Sequence, residues 1–314
     1  MNAVLRCALA LFAAVLLHGA AAAAGQAAIP IEVAPGVYML RGAPGEPDAG
    51  NRGRIGNAGF IVGARGVLAI DTGTSYREGR ALLEAIAGVT DQPVRLALLT
   101  HARQEFIFGA AAFRERGIPI AMQREAAQLM AGRCEACLHT LNALLGAEEM
   151  RGTALPEPDL LLDGEPDLDA LIGRPVRVLY FGHSSGPGDV AVLDVQSGTL
   201  FAGGLLDAMR IPDVQDSDLG GWKRALAQLR ALRSTTIVPG HGPAAAGNLI
   251  YTIERYLTQL ESRVRELLRA NAALSAVPDA VQLPEFRHWD QYDTIHRRNA
   301  SIVFLRLERE GFAR

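Results

Sequence analysis

The chain has 314 residues, of which 49% are hydrophobic, and its formal net charge is −3. This length suits one large domain, because a chain of about 300 residues buries roughly three quarters of its unfolded surface. The weak charge argues against a protein that is steered electrostatically to nucleic acid or to a membrane surface.

The N-terminus has the pattern of a secretory signal peptide. Arg6 precedes an apolar run over residues 7–17, and an alanine-rich stretch ends at Ala24, which matches the charged, apolar and small-residue regions of such a signal. The run is shorter than the about 20 apolar residues that a membrane span needs. We therefore expect residues 1–24 to be removed, and residues 25–314 to act in the periplasm or outside the cell with no membrane attachment.

After this segment, predicted strands and helices alternate in two similar halves. In the first half, the apolar patterns predict strands over 31–40, 59–63, 67–71, 94–100 and 118–122 and helices over 106–117 and 124–145. Pro and Asp mark residues 152–169 as a surface loop. In the second half, the patterns predict strands over 176–181, 190–195, 199–202 and 235–238 and helices over 221–232 and 248–274. Strands followed by helices in this order favour a layered α/β sandwich in one domain.

Two cysteines remain after the predicted cleavage, and they form a C-x-x-C sequence at Cys134 and Cys137. In an oxidising compartment we expect a local structural disulfide between them. A redox-active pair and a metal site stay open as alternatives, although a tetrahedral zinc site would need further ligands from outside this sequence.

Four segments at the ends of predicted strands resemble motifs of the metallo-β-lactamase superfamily, in the superfamily's order. They are AIDTG (69–73), THARQEFIFG (100–109), GHSSGPGD (182–189) and VPGHGP (238–243). The resemblance spans roughly residues 30–245. It implies a four-layer αββα sandwich in which Asp71 and Asp189 have structural roles, followed by a C-terminal helical extension over about residues 245–314.

The same resemblance implies seven metal-ligand positions, of which three still hold a residue that can bind metal. The positions are, for the first zinc, His101, Arg103 and Ser185; for the second zinc, Glu105, Phe106 and His241; and for the bridging aspartate, Gly204. A guanidinium has no lone pair to donate, and zinc usually takes at least three protein ligands. We therefore expect the dinuclear zinc site to be lost, which leaves no cofactor or a single zinc or iron ion.

Three interpretations remain open for the loops whose metal-ligand positions are substituted. In the first, Arg103 and Glu105 form an ion pair that seals an emptied cavity, and a backbone carbonyl satisfies His101. In the second, a single ion binds His101, Glu105 and His241, with His183 swinging in as a further ligand. Glu105 would then be a ligand or general base, and Arg103 would stabilise an oxyanion during hydrolysis of an ester, thioester or lactam. In the third, Arg103 binds the carboxylate or phosphate of an anionic small molecule.

The C-terminal tail, with Tyr292, His296 and Arg298, is similar to the ending of an exported branch associated with quinoprotein oxidation systems. This likeness implies an accessory role in a periplasmic oxidation pathway, with an oxidoreductase as a partner. The sequence thus predicts an exported, hydrolase-like protein that is inactive or altered as a metallohydrolase and has no nucleic-acid partner.

Overall fold

Two β-sheets and the apolar layer between them form the centre of the fold in the computed structural model, which describes residues 29–312. The first sheet has seven strands in chain order: β1 (Ile31–Ala34), β2 (Val37–Leu40), β3 (Ala58–Val62), β4 (Val67–Ile70), β5 (Val94–Leu99), β6 (Ile120–Gln123) and β7 (Leu160–Leu162). The second sheet has the order β11-β10-β9-β8, with β8 (Val176–Tyr180), β9 (Val190–Asp194), β10 (Thr199–Phe201) and β11 (Thr236–Val238).

The first sheet changes from antiparallel to parallel pairing at β4. Strands β1 to β4 pair antiparallel, and β4 to β7 pair parallel. In the second sheet, β8, β9 and β10 are antiparallel and β11 joins parallel to β10. Parallel neighbours need a crossover, which is usually a helix, so helices cover the outer faces of both sheets.

The helices are α1 (Tyr76–Val89), α2 (Gln104–Ile107), α3 (Ala110–Glu115), α4 (Arg124–Leu145), α5 (Asp169–Ile172), α6 (Leu219–Ala231), α7 (Asn248–Arg269), α8 (Val277–Ala280) and α9 (Arg297–Phe312). Buried residues of α1 and α3 pack on the first sheet, as do those of α2 and α4. Buried residues of α6, α7 and α9 pack on the second sheet. The layers therefore run helix, sheet, sheet, helix, and the predicted αββα sandwich is confirmed.

Three of the predicted elements differ clearly from the observed ones. The predicted helix over 106–117 is divided into two short helices, α2 and α3. Residues 31–40 form two strands rather than one, because Gly36 adopts φ +74° and turns the chain between β1 and β2. The predicted loop over 152–169 contains β7, whose Leu160 and Leu161 are exposed. An edge strand with exposed leucines lacks the alternation that marks a half-buried strand, so the sequence pattern gave no sign of it.

The helical C-terminal region is built from α7, α8 and α9, which join the same apolar cluster as α6. None of the helices within residues 29–312 is long and apolar enough to cross a membrane. The predicted signal peptide over residues 1–24 lies outside the described residues.

The predicted disulfide between Cys134 and Cys137 is not formed in this structure, where both residues are free thiols in α4. The helix places the two side chains in different surroundings. Cys134 is fully buried in the apolar cluster beneath α4, whereas Cys137 is half-buried at its edge. The Cys137 thiol donates to the carbonyl of Arg133, one turn earlier, over 3.7 Å.

Candidate functional site

The loops that follow β5, β10 and β11 meet at one end of the two sheets. The loop after β5 carries His101 and Arg103, and α2 begins directly afterwards with Glu105 in its first turn. The segment after β10 carries Asp207, and the loop after β11 carries His241. A polar cluster therefore forms from residues that lie far apart in the chain.

A chain of hydrogen bonds from Asp71 through Thr100 fixes the position of His101. Asp71 sits in the left-handed region at φ +57° and accepts from the Thr100 backbone N–H at 2.8 Å and from the Thr100 hydroxyl at 2.9 Å. The Thr100 hydroxyl lies 2.7 Å from His101 Nδ1. A hydroxyl that donates its one proton to an ionised Asp71 must accept from Nδ1–H, so the lone pair of His101 is on Nε2. Burial raises the pKa of Asp71 to about 7, so this arrangement belongs to neutral and higher pH.

His101 is thus held by a side-chain hydroxyl and not, as the sequence suggested, by a backbone carbonyl. Burial, reinforced by the charge of Arg103, lowers the pKa of His101 to about 3. The ring is therefore neutral, and its buried Nε2 has no hydrogen-bond partner among the described residues.

His241 lies between two carboxylates. Its Nδ1 is 2.7 Å from Asp207 Oδ1, and its Nε2 is 3.3 Å from Glu105 Oε1. The second contact is an ion-pair distance, although its alignment is not that of a hydrogen bond. Burial opposes a charge on the ring, but Asp207 and Glu105 outweigh it and raise the pKa of His241 above its usual value. Burial likewise opposes ionisation of Glu105, yet His241 and Arg103 lower its pKa to about 2. The three side chains form a buried carboxylate–imidazole–carboxylate group in which the two carboxylates favour the protonated ring.

Arg103 pairs with Asp213 rather than with Glu105, which corrects the predicted ion pair. Its Nη2 donates to the Asp213 carbonyl at 2.9 Å, and its Nη1 is 3.4 Å from Asp213 Oδ2. Arg298, from α9, reaches the same Oδ2 at 2.7 Å. Burial lowers the pKa of Arg103, but the negative charges around it, chiefly those of Asp213 and Glu105, together have the larger effect, so the pKa lies above its usual value. The guanidinium is therefore a permanent positive charge beside the imidazole cluster.

Apolar atoms fill much of the space around the two histidines. The Phe106 ring is buried, and its centre lies 4.3 Å from that of His101 and 5.2 Å from that of His241. At Gly204, an added Cβ would lie 2.9 Å from His101 Cδ2, so a side chain there would force the ring to move. The hydroxyl of Ser185 donates its proton to Asp189 at 2.5 Å.

His183 lies outside this cluster. Its side chain is exposed, and its Nε2 is 2.6 Å from the Asp216 carbonyl oxygen. The structure therefore does not bring His183 together with His101, Glu105 and His241, because the ring lies at the surface.

A polar cavity of about 250 Å³ opens beside the cluster. Its walls carry four arginines and five carboxylates, together with His241 and Cys137; the charged residues are Arg103, Arg133, Arg210, Arg298, Glu46, Glu105, Asp207, Asp213 and Asp216. Arg133 pairs with Asp216 at 2.7 Å, and Arg210 pairs with Asp290 at 2.6 Å. The cavity is thus lined by paired charges.

Comparison with known proteins identifies the family. The sequence profile of the Metallo-beta-lactamase superfamily matches residues 51–241. The chain belongs to the metallo-β-lactamase superfamily. The match ends at His241, so the helices that follow, including the one that carries Arg298, lie beyond the matched region.

Solved metallo-β-lactamase structures share the fold at low sequence identity. The enzyme from Pontibacter korlensis is 21% identical with a TM-score of 0.59, over 73% of this chain and 98% of that one. The enzyme from Hirschia baltica is 19% identical with a TM-score of 0.57, over 73% and 96%. FIM-1 from Pseudomonas aeruginosa, solved in its mono-zinc form, is 20% identical with a TM-score of 0.57, over 73% and 94%. No curated protein matches the chain.

The side chains of this superfamily member do not fit a dinuclear zinc centre. Within residues 29–312, no three His, Cys, Asp or Glu side chains are grouped so that they could hold a metal ion. The Phe106 ring contacts both imidazoles, and both nitrogens of His241 lie beside carboxylates, which favour a proton on the ring over a free lone pair. Within the described residues, the buried Nε2 atoms of His101 and His241 both lack a hydrogen-bond partner.

Sequence reasoning missed the two carboxylates that organise the site. Asp207 lies three residues after Gly204, and Asp213 lies in the loop before α6. A carboxylate next to a lost ligand position was a signal for Asp207, since an isolated buried imidazolium is costly. For Asp213 no local pattern was available, because its partners Arg103 and Arg298 are distant in the chain.

Proposed function

We propose that this protein is an exported, metal-independent member of the superfamily that binds a small anionic molecule in the cavity beside Arg103. The observation that carries the proposal is the sharing of one carboxylate, Asp213, by two guanidinium groups, those of Arg103 and Arg298. Each guanidinium has five N–H donors in a planar fork that suits carboxylate or phosphate oxygens. A single carboxylate cannot use all of them, so donors remain for an anion from solution.

The charges of the site also support a function without metal. In the superfamily, the implied zinc ions would supply positive charge to the loops after β5 and β11. Here Arg103 supplies a fixed positive charge from within the chain, Asp207 and Glu105 favour a protonated His241, and Asp213 compensates Arg103. A metal ion at this place would lie beside the fixed positive charge of Arg103 and would have to compete with the proton that Asp207 and Glu105 favour on His241. A metallohydrolase reaction is therefore not part of the proposal.

Replacing Arg103 by glutamine should abolish the thermal stabilisation that a bound anion gives. Inorganic phosphate and citrate are suitable probes, and a probe present at a hundred times its Kd stabilises a protein by about 2.7 kcal/mol. Thermal unfolding followed by differential scanning fluorimetry measures the shift. Arg124→Gln, which removes an exposed arginine paired with Asp163, is the matched control and should keep the full shift. An equal shift in Arg103→Gln and the unchanged protein would contradict the proposal.

The alternative function is a hydrolase that uses a single ion bound by His101, Glu105 and His241. The unpartnered Nε2 of His101 favours it, as does the Asp207 carboxylate on His241 Nδ1, because metal-binding histidines are commonly oriented in this way.

Metal analysis separates the two functions. Protein purified without chelators should contain less than about a tenth of an equivalent of zinc or iron, in contrast to the tight stoichiometric binding of structural metal sites. A chelator should also leave the melting temperature unchanged. One equivalent of metal that is lost in His241→Ala would overturn the metal-independent proposal and favour the hydrolase.

The proposal places the protein in the periplasm as an accessory to an oxidation system with an oxidoreductase partner. The leader-like residues 1–24 and the tail that resembles the quinoprotein-associated branch support this setting. The tail also has a place in the site, since Ile295 and Arg298 line the cavity. Mass measurement of the protein from a periplasmic fraction tests the location, and an intact N-terminus in the cytoplasm would contradict it.

A further inference from the structure

Residues 212–217, in the loop before α6, form part of the cavity wall. Asp213 holds Arg103 through its backbone carbonyl, at 2.9 Å, and through its carboxylate, at 3.4 Å. Asp216 accepts from Arg133 with both carboxylate oxygens at 2.7 Å. The position of this 212–217 segment therefore decides where two of the cavity's arginines lie.

Two side chains of α9 hold the backbone of the same segment. Asn299 is fully buried, and its Nδ2 donates to the Pro212 carbonyl at 2.7 Å while its Oδ1 accepts from the Val214 N–H at 3.2 Å. The Arg306 guanidinium donates to three carbonyl oxygens of the segment at 2.5–3.0 Å. These oxygens belong to Val214, Gln215 and Ser217.

The 212–217 segment has little backbone hydrogen bonding of its own. It lies in neither a strand nor a helix. Among the described residues, its one backbone–backbone hydrogen bond runs from the Ser217 N–H to the Val214 carbonyl. Backbone groups that lack such partners are satisfied by side chains, and here the side chains of Asn299 and Arg306 have this role. The course of the segment therefore depends on α9.

We propose that Asn299 and Arg306 are positioning residues of the cavity. By fixing the 212–217 segment, they also fix Arg103 and Arg133. The match to the superfamily profile ends before α9, so the helix that positions these two guanidinium groups lies outside the matched region. The proposal concerns where the arginines lie and does not depend on which molecule the cavity binds.

Arg210 lines the same cavity but is held independently of this segment. Its Nη1 donates to the Gly45 carbonyl at 2.8 Å and to the Asp290 carboxylate at 2.6 Å. Neither partner belongs to residues 212–217. Loss of the α9 contacts should therefore displace Arg103 and leave Arg210 in place, which gives an internal reference within one cavity.

Reaction of the folded protein with phenylglyoxal, a dicarbonyl that modifies accessible guanidinium groups, tests the proposal. Mass spectrometry of peptides at low extents of modification gives the rate at each arginine. In Asn299→Ala, the rate at Arg103 should rise by about tenfold, because each lost hydrogen bond shifts a local opening equilibrium by roughly two- to tenfold. The rates at Arg210 and at the exposed Arg80 should stay unchanged. The assay needs no bound anion, so its result is separate from that of the anion-binding test.

Variants of α9 separate positioning from a general loss of stability. Val303→Ala is the matched control, because Val303 is a fully buried, apolar residue of the same helix. It should lower the melting temperature, as loss of buried methyl groups does, and leave the Arg103 rate unchanged. Arg306→Gln, at a half-buried position, is the second positioning variant and should raise that rate. Arg306→Lys should restore part of the protection, since an ammonium keeps three donors.

An Arg103 rate that neither Asn299→Ala nor Arg306→Gln raises would overturn the proposal. A rise of the same size in Val303→Ala would also overturn it, because the effect would then follow from loosening the helix and not from losing its hydrogen bonds to the segment.

Discussion

Asp207→Ala should lower the free energy of unfolding by about 3–5 kcal/mol, because it leaves the buried imidazolium of His241 with only one of its two carboxylates. The Asp207 side chain is 8% exposed and its Oδ1 lies 2.7 Å from His241 Nδ1. Urea denaturation at pH 6 followed by circular dichroism measures the loss. Asp207→Asn keeps an acceptor for Nδ1–H and should lose less, since only the charge disappears.

The pH dependence of this loss identifies its source. The folded pKa of His241 is raised above the ordinary value of 6.5. The stabilisation is therefore fully present below pH 6.5 and is lost as the pH rises through the folded pKa. The folded pKa of Glu105 is lowered from 4.5 to about 2, so its contribution is present above pH 4.5 and is lost as the pH falls toward 2. The difference between the unchanged protein and Asp207→Ala should therefore be largest between about pH 5 and 6.5.

Two comparisons control this prediction. Asp163→Ala removes an exposed carboxylate paired with Arg124 and should change stability by less than about 1 kcal/mol. A double-mutant cycle that combines Asp207→Ala with His241→Gln should show a coupling energy of about 0.5–3 kcal/mol, as expected for residues in direct contact. A coupling near zero would mean that the loss comes from a cavity and not from the charge pair.

The sequence was sufficient for the parts of the fold that depend on local pattern. The continuous apolar run of β5 predicted a buried strand of the layered fold. The polar loops at the strand ends predicted where the candidate site lies. The turn at Gly36 and the strand β7 were not predicted. A single glycine inside an apolar run and an edge strand with exposed leucines give no local periodic signal.

For the site, the sequence located the positions but not the partners. His101, Arg103, Glu105 and His241 do meet, as the order of the loops implied. The partner of Arg103 is Asp213, which lies 110 residues away in the chain, and the choice of Asp213 over Glu105 depends on packing in three dimensions. The cysteine spacing was equally ambiguous, because a C-x-x-C sequence inside a helix places its two thiols in environments that the sequence does not reveal.

Arg174→Ala should also cost about 3–5 kcal/mol, because it leaves Asp194 buried without its counterion. Arg174 and Asp194 are 7% and 0% exposed, and Nε and Nη2 of the arginine each lie 2.7 Å from a different carboxylate oxygen. The same guanidinium donates to the carbonyls of Pro35 at 2.9 Å and Val62 at 3.2 Å. It therefore joins the end of β9, in the second sheet, to the turn before β2 and the end of β3 in the first.

The geometry of this contact predicts how substitutions rank. Arg174→Lys should recover only part of the stability, since an ammonium cannot form the two parallel bonds of a guanidinium or reach both carbonyls at once. Arg177→Ala, in the neighbouring strand β8, removes a half-exposed pair with Glu165 and should cost less than about 1 kcal/mol. The double change Arg174→Met with Asp194→Leu should be less destabilising than either single change, because no unpaired charge remains buried. Equal effects of Arg174→Ala and Arg177→Ala in urea denaturation would show that the two sheets are held together by the apolar layer alone.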